Sequence, residues 1–408
     1  MLRTVSMAVA ATMLSVFLGD LPAAAAPLGL ARARDLVLSG HSGLKGLEEQ
    51  RAASEEASRQ ASAYANPEVE VEAENLGEDE IAAVLTLPIP LDGRRGASMK
   101  VARQQAKIAA LGLRGGYLAI EAELLRRFIV VTSAQRRLEL VDSLSRVSAH
   151  GIEGMQRLVS AGAAMQIDLV RAELERDELE LEHARLSRDL KAAQINLCEL
   201  WGATELRYDG VGGSLRGEID LPPLPELQAS MADHPEMLIL DLEESLAEME
   251  VAQARADGRP ALALSGGYLR NREADEGVLI ARLSLSLPVL DRNQAAVRAK
   301  LHELAAVRHE AERLEVERAV ELSRLYMEIE GTGNELATVS GGVLERAGRI
   351  HDTLMDYYSH GKIGLLDVLE ARQHLLEIRM RVLDLAEEQA LLAADLQELT
   401  GHEINIIE

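Results

Sequence analysis

The chain has 408 residues and a formal net charge of -24, from 43 Lys and Arg against 67 Asp and Glu, with no basic run interleaved with aromatics; such a surface repels a phosphate backbone and excludes nucleic-acid binding. Aromatics make up only 2% of a chain that is 47% hydrophobic, so the apolar surface is mainly Leu, Ala and Val, a bias that suits long helices with interhelical seams. The acidity reads either as a solubility device or as an acidic lumen that favours cations.

Residues 1–26 have the form of a secretory signal peptide: Arg3, an apolar run from Met7 to Leu18, then the small residues Ala23 to Ala26, with cleavage expected after Ala25 or Ala26. No later stretch reaches about 18 uninterrupted apolar residues, so the exported chain is expected to have no helical span. The only cysteine, Cys198, offers neither a disulfide nor an N-terminal site for lipid attachment and is expected to be a small core residue.

A helix is predicted over about 42–63, followed by a strand pair within 66–88. In Glu68 to Glu74 the order Glu, Val, Glu, Val, Glu, Ala, Glu places Val69, Val71 and Ala73 on one face and Glu68, Glu70, Glu72 and Glu74 on the other. A long helical hairpin follows over 95–200, with helices at about 95–158 and 168–200. Sixty helical residues extend about 90 Å at 1.5 Å per residue, far beyond a compact domain.

A polar connection rich in Gly and Pro, 203–233, reads as a linker, stiffened by Pro222 to Leu227. The second half then repeats the order: a helix over about 235–256, a strand pair within 260–288 and a helical hairpin over 294–400, before a tail at 402–408. In the strands, Leu262 and Leu264 lie opposite Ala261, Ala263 and Ser265, and Leu283, Leu285 and Leu287 lie opposite Ser284 and Ser286. Gly331, Gly333 and Gly341-Gly342 predict a break or kink in the second long helix.

The halves, 27–202 and 234–401, are copies. His41 and Pro67 answer His234 and Pro260 at an offset of 193, and Pro88 answers Pro288 at 200. Gly162, Asp168 and Ala172 answer Gly361, Asp367 and Ala371 at 199. The last helix of each half carries a heptad seam, Leu179, His183, Leu186, Leu190, Ala193, Leu197, Leu200 in one and Ile378, Val382, Leu385, Gln389, Leu392, Leu396, Leu399 in the other.

Strands of this length and alternation fit a tilted crossing of a bilayer, and they equally fit a soluble sheet with one wet face. Four strands cannot close a barrel, and open edges are not tolerated in lipid, so a membrane reading requires several chains. The nucleophile elbow, the phosphate loop and the zinc-protease signature are absent, and no two of the ten histidines stand four apart on one helix face; no catalytic residue, metal site or cofactor is expected.

The duplicated order of helix, strand pair, Leu-Pro and long helical hairpin, with its Gly-to-Asp tip motifs, resembles the TolC-like outer-membrane efflux protein family over residues 35 to 401. The segment LTLPIPLDGRRG (Leu85 to Gly96) looks like the heavy-metal-resistance branch. The resemblance implies a mainly α fold with a small β part: a long α-helical coiled-coil barrel joined to a transmembrane β-barrel built from four strands per protomer. It also implies a homotrimer in the outer membrane that extends into the periplasm, served by a periplasmic adaptor and an inner-membrane efflux pump. By the same resemblance HGKIGLLDVLEA (His360 to Ala371) is the periplasmic entrance, with Asp367 and Glu370 as an acidic gate, Tyr358 in its closing network and Asp168 as the first-copy counterpart. The place of a basic partner is taken by Ile363. Local sequence offers Asp367 a second role, capping the helix that follows the turn. The acidic strand Glu68 to Glu74 is expected to face the lumen. A secreted periplasmic coiled-coil structural or adaptor protein, with no membrane barrel, is the alternative that explains the signal, the heptads and the acidity.

Overall fold

The computed structural model describes residues 26–74, 80–91, 93–162, 164–271 and 274–408. The signal peptide lies outside the described residues, apart from Ala26. The elements are α1 (Leu30–Gly40), α2 (Ser42–Ala61), β1 (Glu68–Glu74), β2 (Glu80–Ile89), α3 (Arg94–Ser160) and α4 (Gln166–Glu199) in the first half. The second half has α5 (Leu224–Ala232), α6 (Pro235–Asp257), β3 (Ala261–Asn271), β4 (Glu276–Ser286), α7 (Gln294–Thr338), a π-turn at Val339–Val343, α8 (Leu344–Ser359) and α9 (Leu365–Thr400).

The leading helices of both halves start at a repeated histidine. Nδ1 of His41 accepts from Leu44 N, and Nδ1 of His234 accepts from Glu236 N, each at 3.3 Å. An imidazole thereby satisfies one of the amides that a helix N-terminus leaves unpaired. Each of these helices is preceded by a shorter one, α1 or α5, that the sequence reading did not assign. Both are pinned by buried aliphatics, Val37 in one and Leu227 in the other. The connection at 203–233 therefore ends in a helix that mirrors α1.

The 67 residues of α3 extend about 100 Å. α7, the π-turn and α8 form one continuous run of the same reach. The predicted break falls at Gly341-Gly342, inside the π-turn, whereas Gly331 and Gly333 sit within unbroken α-helix. The heptad seams are largely buried: Leu179, Leu186, Ala193, Leu197 and Leu200 in the first copy, Ile378, Leu385, Gln389, Leu396 and Leu399 in the second. Cys198 is a fully buried free thiol beside that first seam. His183 departs from the seam pattern: it is half-exposed and places Nε2 3.1 Å from Asp142 on α3.

The deepest core lies where the halves meet. Phe128, Val131 and Leu197 pack with Leu28 and Val37, while Ile129, Leu322, Ile329 and Leu396 pack with Leu227 and Ile406. The tail is thus built in: Ile404 and Ile406 are buried, and Glu408 exchanges backbone hydrogen bonds with Ser214.

The four strands form one antiparallel sheet in the order β1-β2-β3-β4. The β2–β3 pairing, from Glu80↔Asn271 to Ile89↔Leu262, joins the two copies edge to edge. At the helix side of the sheet, Gly93 (φ 79°) and Asn293 (φ 61°) occupy equivalent left-handed corners leading into α3 and α7. Two arginines brace the first corner. Arg94 donates to the carbonyls of Asp257 (2.7 Å) and Arg259 (2.9 Å) at the end of α6, and Arg95 donates to Ser62 O at the end of α2 while stacking 3.8 Å over the Tyr64 ring. In the second copy Asn293 Nδ2 does the same for Ala254 O at 2.7 Å. Cationic and amide donors are well placed there, because the last carbonyls of a helix carry its negative dipole end.

Candidate functional site

Two surfaces carry the functional argument: the faces of the sheet and the tips of the helical hairpins. Paired residues across an antiparallel ladder share a face. The register therefore puts Val69, Leu85, Leu87, Leu264, Tyr268, Leu279, Leu283 and Leu285 together on one side. All eight are exposed, Leu279 at 85% and Leu283 at 67%. A contiguous apolar face of this extent in water would be costly, so its natural solvent is hydrocarbon. The 11 residues of β3 and of β4 extend about 36 Å each, enough to cross a bilayer at a tilt.

The opposite face carries Glu68, Glu70 and Glu72 of β1, with Thr86, Ser265, Ser284 and Ser286, while the Glu74 side chain lies outside the described residues. Thr86 and Ser265 share a hydrogen bond of 2.9 Å, and Asn271 donates to Glu80 at 2.8 Å. Within β1 the carboxylates and the valines lie on opposite faces as expected, while the register also sets Val84 opposite Glu70 and Ala82 opposite Glu72 on the acidic side. Aromatics at the rim are sparse, with Tyr64 exposed just before β1 and Tyr268 on the apolar face.

At the other end of the molecule the two hairpin tips meet. Gly162 (φ 70°) and Gly361 (φ 68°), the repeat counterparts, turn the chain in a left-handed conformation that glycine adopts without strain. Tyr358, from the second tip, packs with Met155, Val159, Leu169 and Leu365. Burial, and after it the charge of Asp168, push its phenol above the ordinary value of 10.0. The structure thus brings Tyr358 and Asp168 together across the two copies. Asp168 is only 17% exposed and lies 3.8 Å from Arg171.

Asp367 and Glu370 are placed differently. Asp367 is at the third position of α9, where its Oδ2 accepts from Gly364 N at 3.2 Å, so the capping role is realised. Both carboxylates are exposed and stand one turn apart on the same face. Glu370 also borders a groove of about 340 Å³ between α4 and α9, lined by Leu174, Leu179, Leu369 and Leu376.

Sequence reasoning missed the ion pairs that fasten the copies together. Arg372 of α9 reaches Glu175 of α4 at 3.2 Å with both side chains under 20% exposed. Higher up, Arg137 of α3 binds Asp384 (2.7 Å) and Glu387, and Arg126 binds Asp395 (3.0 Å) and Glu398 (2.6 Å). The partners are more than 190 positions apart in sequence, and only the hint of matched heptads on charged helices could have suggested them.

The family model described as outer membrane efflux protein matches residues 48–203 and 227–402. The cobalt-zinc-cadmium resistance protein CzcC of Cupriavidus metallidurans is 26% identical over 383 residues, which cover 93% of this chain and 91% of that one. The solved structure of CusC superposes with a TM-score of 0.78 at 15% identity, covering 95% of this chain and 96% of the other. The open state of the Neisseria gonorrhoeae MtrE outer membrane channel superposes with a TM-score of 0.75 at 16% identity, covering 94% and 93%.

Proposed function

This chain belongs to the outer membrane efflux protein family, an outer-membrane channel component reaching into the periplasm, and from that premise we propose that three copies form a passive exit duct for cations. The observation that carries the proposal is the sheet: four strands with one exposed apolar face and two open edges, β1 and β4, which lipid does not tolerate unpaired. Three copies joined edge to edge make a closed barrel of twelve strands, with Glu68, Glu70 and Glu72 of each copy toward the lumen.

The helices continue that barrel as a tunnel of about 100 Å. At its periplasmic end, threefold symmetry gathers copies of Asp367 and Glu370 into an acidic ring, which attracts cations and resists full ionisation because like charges repel. Tyr358, kept neutral and seated against Asp168, ties the two hairpin tips and holds the ring closed. A periplasmic adaptor and an inner-membrane pump deliver the cargo and the energy, so the duct performs no chemistry and needs no cofactor. Heavy-metal cations are the proposed cargo, supported by the similarity to the cobalt-zinc-cadmium resistance protein and by the acidic lumen.

Conductance of the protein in planar bilayers tests this reading. Wild type is expected to pass cations in preference to anions at low salt, and Asp367→Asn with Glu370→Gln is expected to reduce that preference several-fold. Equal anion and cation currents in the wild type would contradict it.

A further inference from the structure

Charge is distributed unevenly along the molecule, and a basic zone lies where the sheet meets the helices. Residues 91–107 carry five Lys and Arg against one carboxylate, and residues 287–303 carry three against two, in a chain whose formal charge is -24. Some of these cations serve the corner itself, as Arg94 and Arg95 do, and Lys300 is held by Glu250 and Glu303.

Four others in these stretches, and Arg255 near the end of α6, have no such occupation among the described residues. Lys100, Arg103, Arg255, Arg292 and Arg298 are exposed. They lie on α3, α6, the β4–α7 connection and α7, the helical ones all within about 15 Å of the sheet-side ends of their helices at 1.5 Å per residue. Directly on the membrane side of them are Leu91 (75% exposed), Val289 (67%) and Leu290 (98%), which mark the lower edge of the apolar face. The headgroup layer of a bilayer leaflet is about 5–8 Å deep. Long Lys and Arg stems extend toward it while keeping their charges in water, and attraction persists over a Debye length of about 8 Å.

We propose that Lys100, Arg103, Arg255, Arg292 and Arg298 form a basic collar that binds anionic phospholipid headgroups of the periplasmic leaflet. Charge complementarity and direct continuity with the hydrocarbon-facing surface identify the partner. Clustered cations next to a membrane edge recruit anionic lipid in proportion to their number and lose it as salt screens them. The collar fixes the depth at which the barrel sits and resists its being pulled downward.

The test is native mass spectrometry of the full chain, extracted from membranes in a mild detergent, stripped of lipid and titrated with phosphatidylglycerol or phosphatidylcholine. Wild type is expected to retain phosphatidylglycerol at least about tenfold better at low salt, and to lose the preference in about 1 M salt. The variant carrying Lys100→Gln, Arg103→Gln, Arg255→Gln, Arg292→Gln and Arg298→Gln is expected to hold both lipids equally while keeping its oligomeric state. Should that variant fail to assemble, the salt series on wild type decides alone. Equal retention of the two lipids by wild type, a preference that survives high salt, or an undiminished preference in an assembled variant overturns the collar. Conductance in pure phosphatidylcholine bilayers reads the channel proposal separately.

Discussion

At the residue scale the duplicated histidines share a task, satisfying helix N-termini, whereas of the duplicated aspartates only Asp367 does so. His234 caps α6 through Nδ1, so its proton resides on Nε2 and the ring must stay neutral to accept. Burial first, opposed by Glu236 and Glu398 and aided by Arg318 and Arg114, holds its pKa below the ordinary 6.5. The stabilising contribution is therefore complete above pH 6.5 and is lost as pH falls through the depressed value of the folded state. Amide protection factors at the start of α6, corrected for the intrinsic pH dependence of exchange, are expected to fall as pH drops below 6.5, and His234→Asn, which caps without titrating, is expected to abolish that dependence. At the tip, Asp367→Ala is expected to loosen the first turn of α9 by about 1 kcal/mol by the same measurement, whereas Glu370→Gln is expected to leave it within about 0.5 kcal/mol. The tip turn and the capping option of Asp367 were readable from Gly361 and the six residues after it. The meeting of Tyr358 with Asp168 was not, because it joins residues 190 positions apart through packing of two hairpins.

At the element scale, period decided what could be read. Long helices and alternating strands repeat their pattern often enough to stand out, and β3, β4, α3 and α9 fall close to their predicted bounds. α1 and α5 were missed because 11 and 9 residues offer only two or three apolar contacts each, and α5 begins in a proline-rich stretch that reads as linker. The π-turn was foreseeable as a break because Gly341-Gly342 removes two side chains at one level of a helix, while its form depends on α9 packing alongside. The faces of β4 make a sharp prediction. Leu283→Arg places a charge on the exposed apolar face and is expected to cost about 2–4 kcal/mol of membrane stability, seen as loss of folded protein in outer-membrane fractions. Ser284→Arg, one residue on and on the opposite face, is expected to be tolerated.

At the scale of the whole molecule, the two halves are joined by the β2–β3 ladder in the sheet, by the shared core and by the Arg126, Arg137 and Arg372 ion pairs along the helices. These joints are internal to the chain, which leaves β1 and β4 as the places where another copy can add. The duplication made the architecture legible, since each landmark had to be explained in both copies. The number of chains was not legible in composition or periodicity: the open edges together with the apolar face call for more than one copy, and three is what the resemblance to the family implies. The alternative of a soluble coiled-coil protein fails on that face, which no element of the chain covers among the described residues. The most direct measurement is therefore the mass of the complex extracted from the outer membrane in mild detergent. The account predicts three protomers, and a stable monomer or dimer in that extract would contradict it.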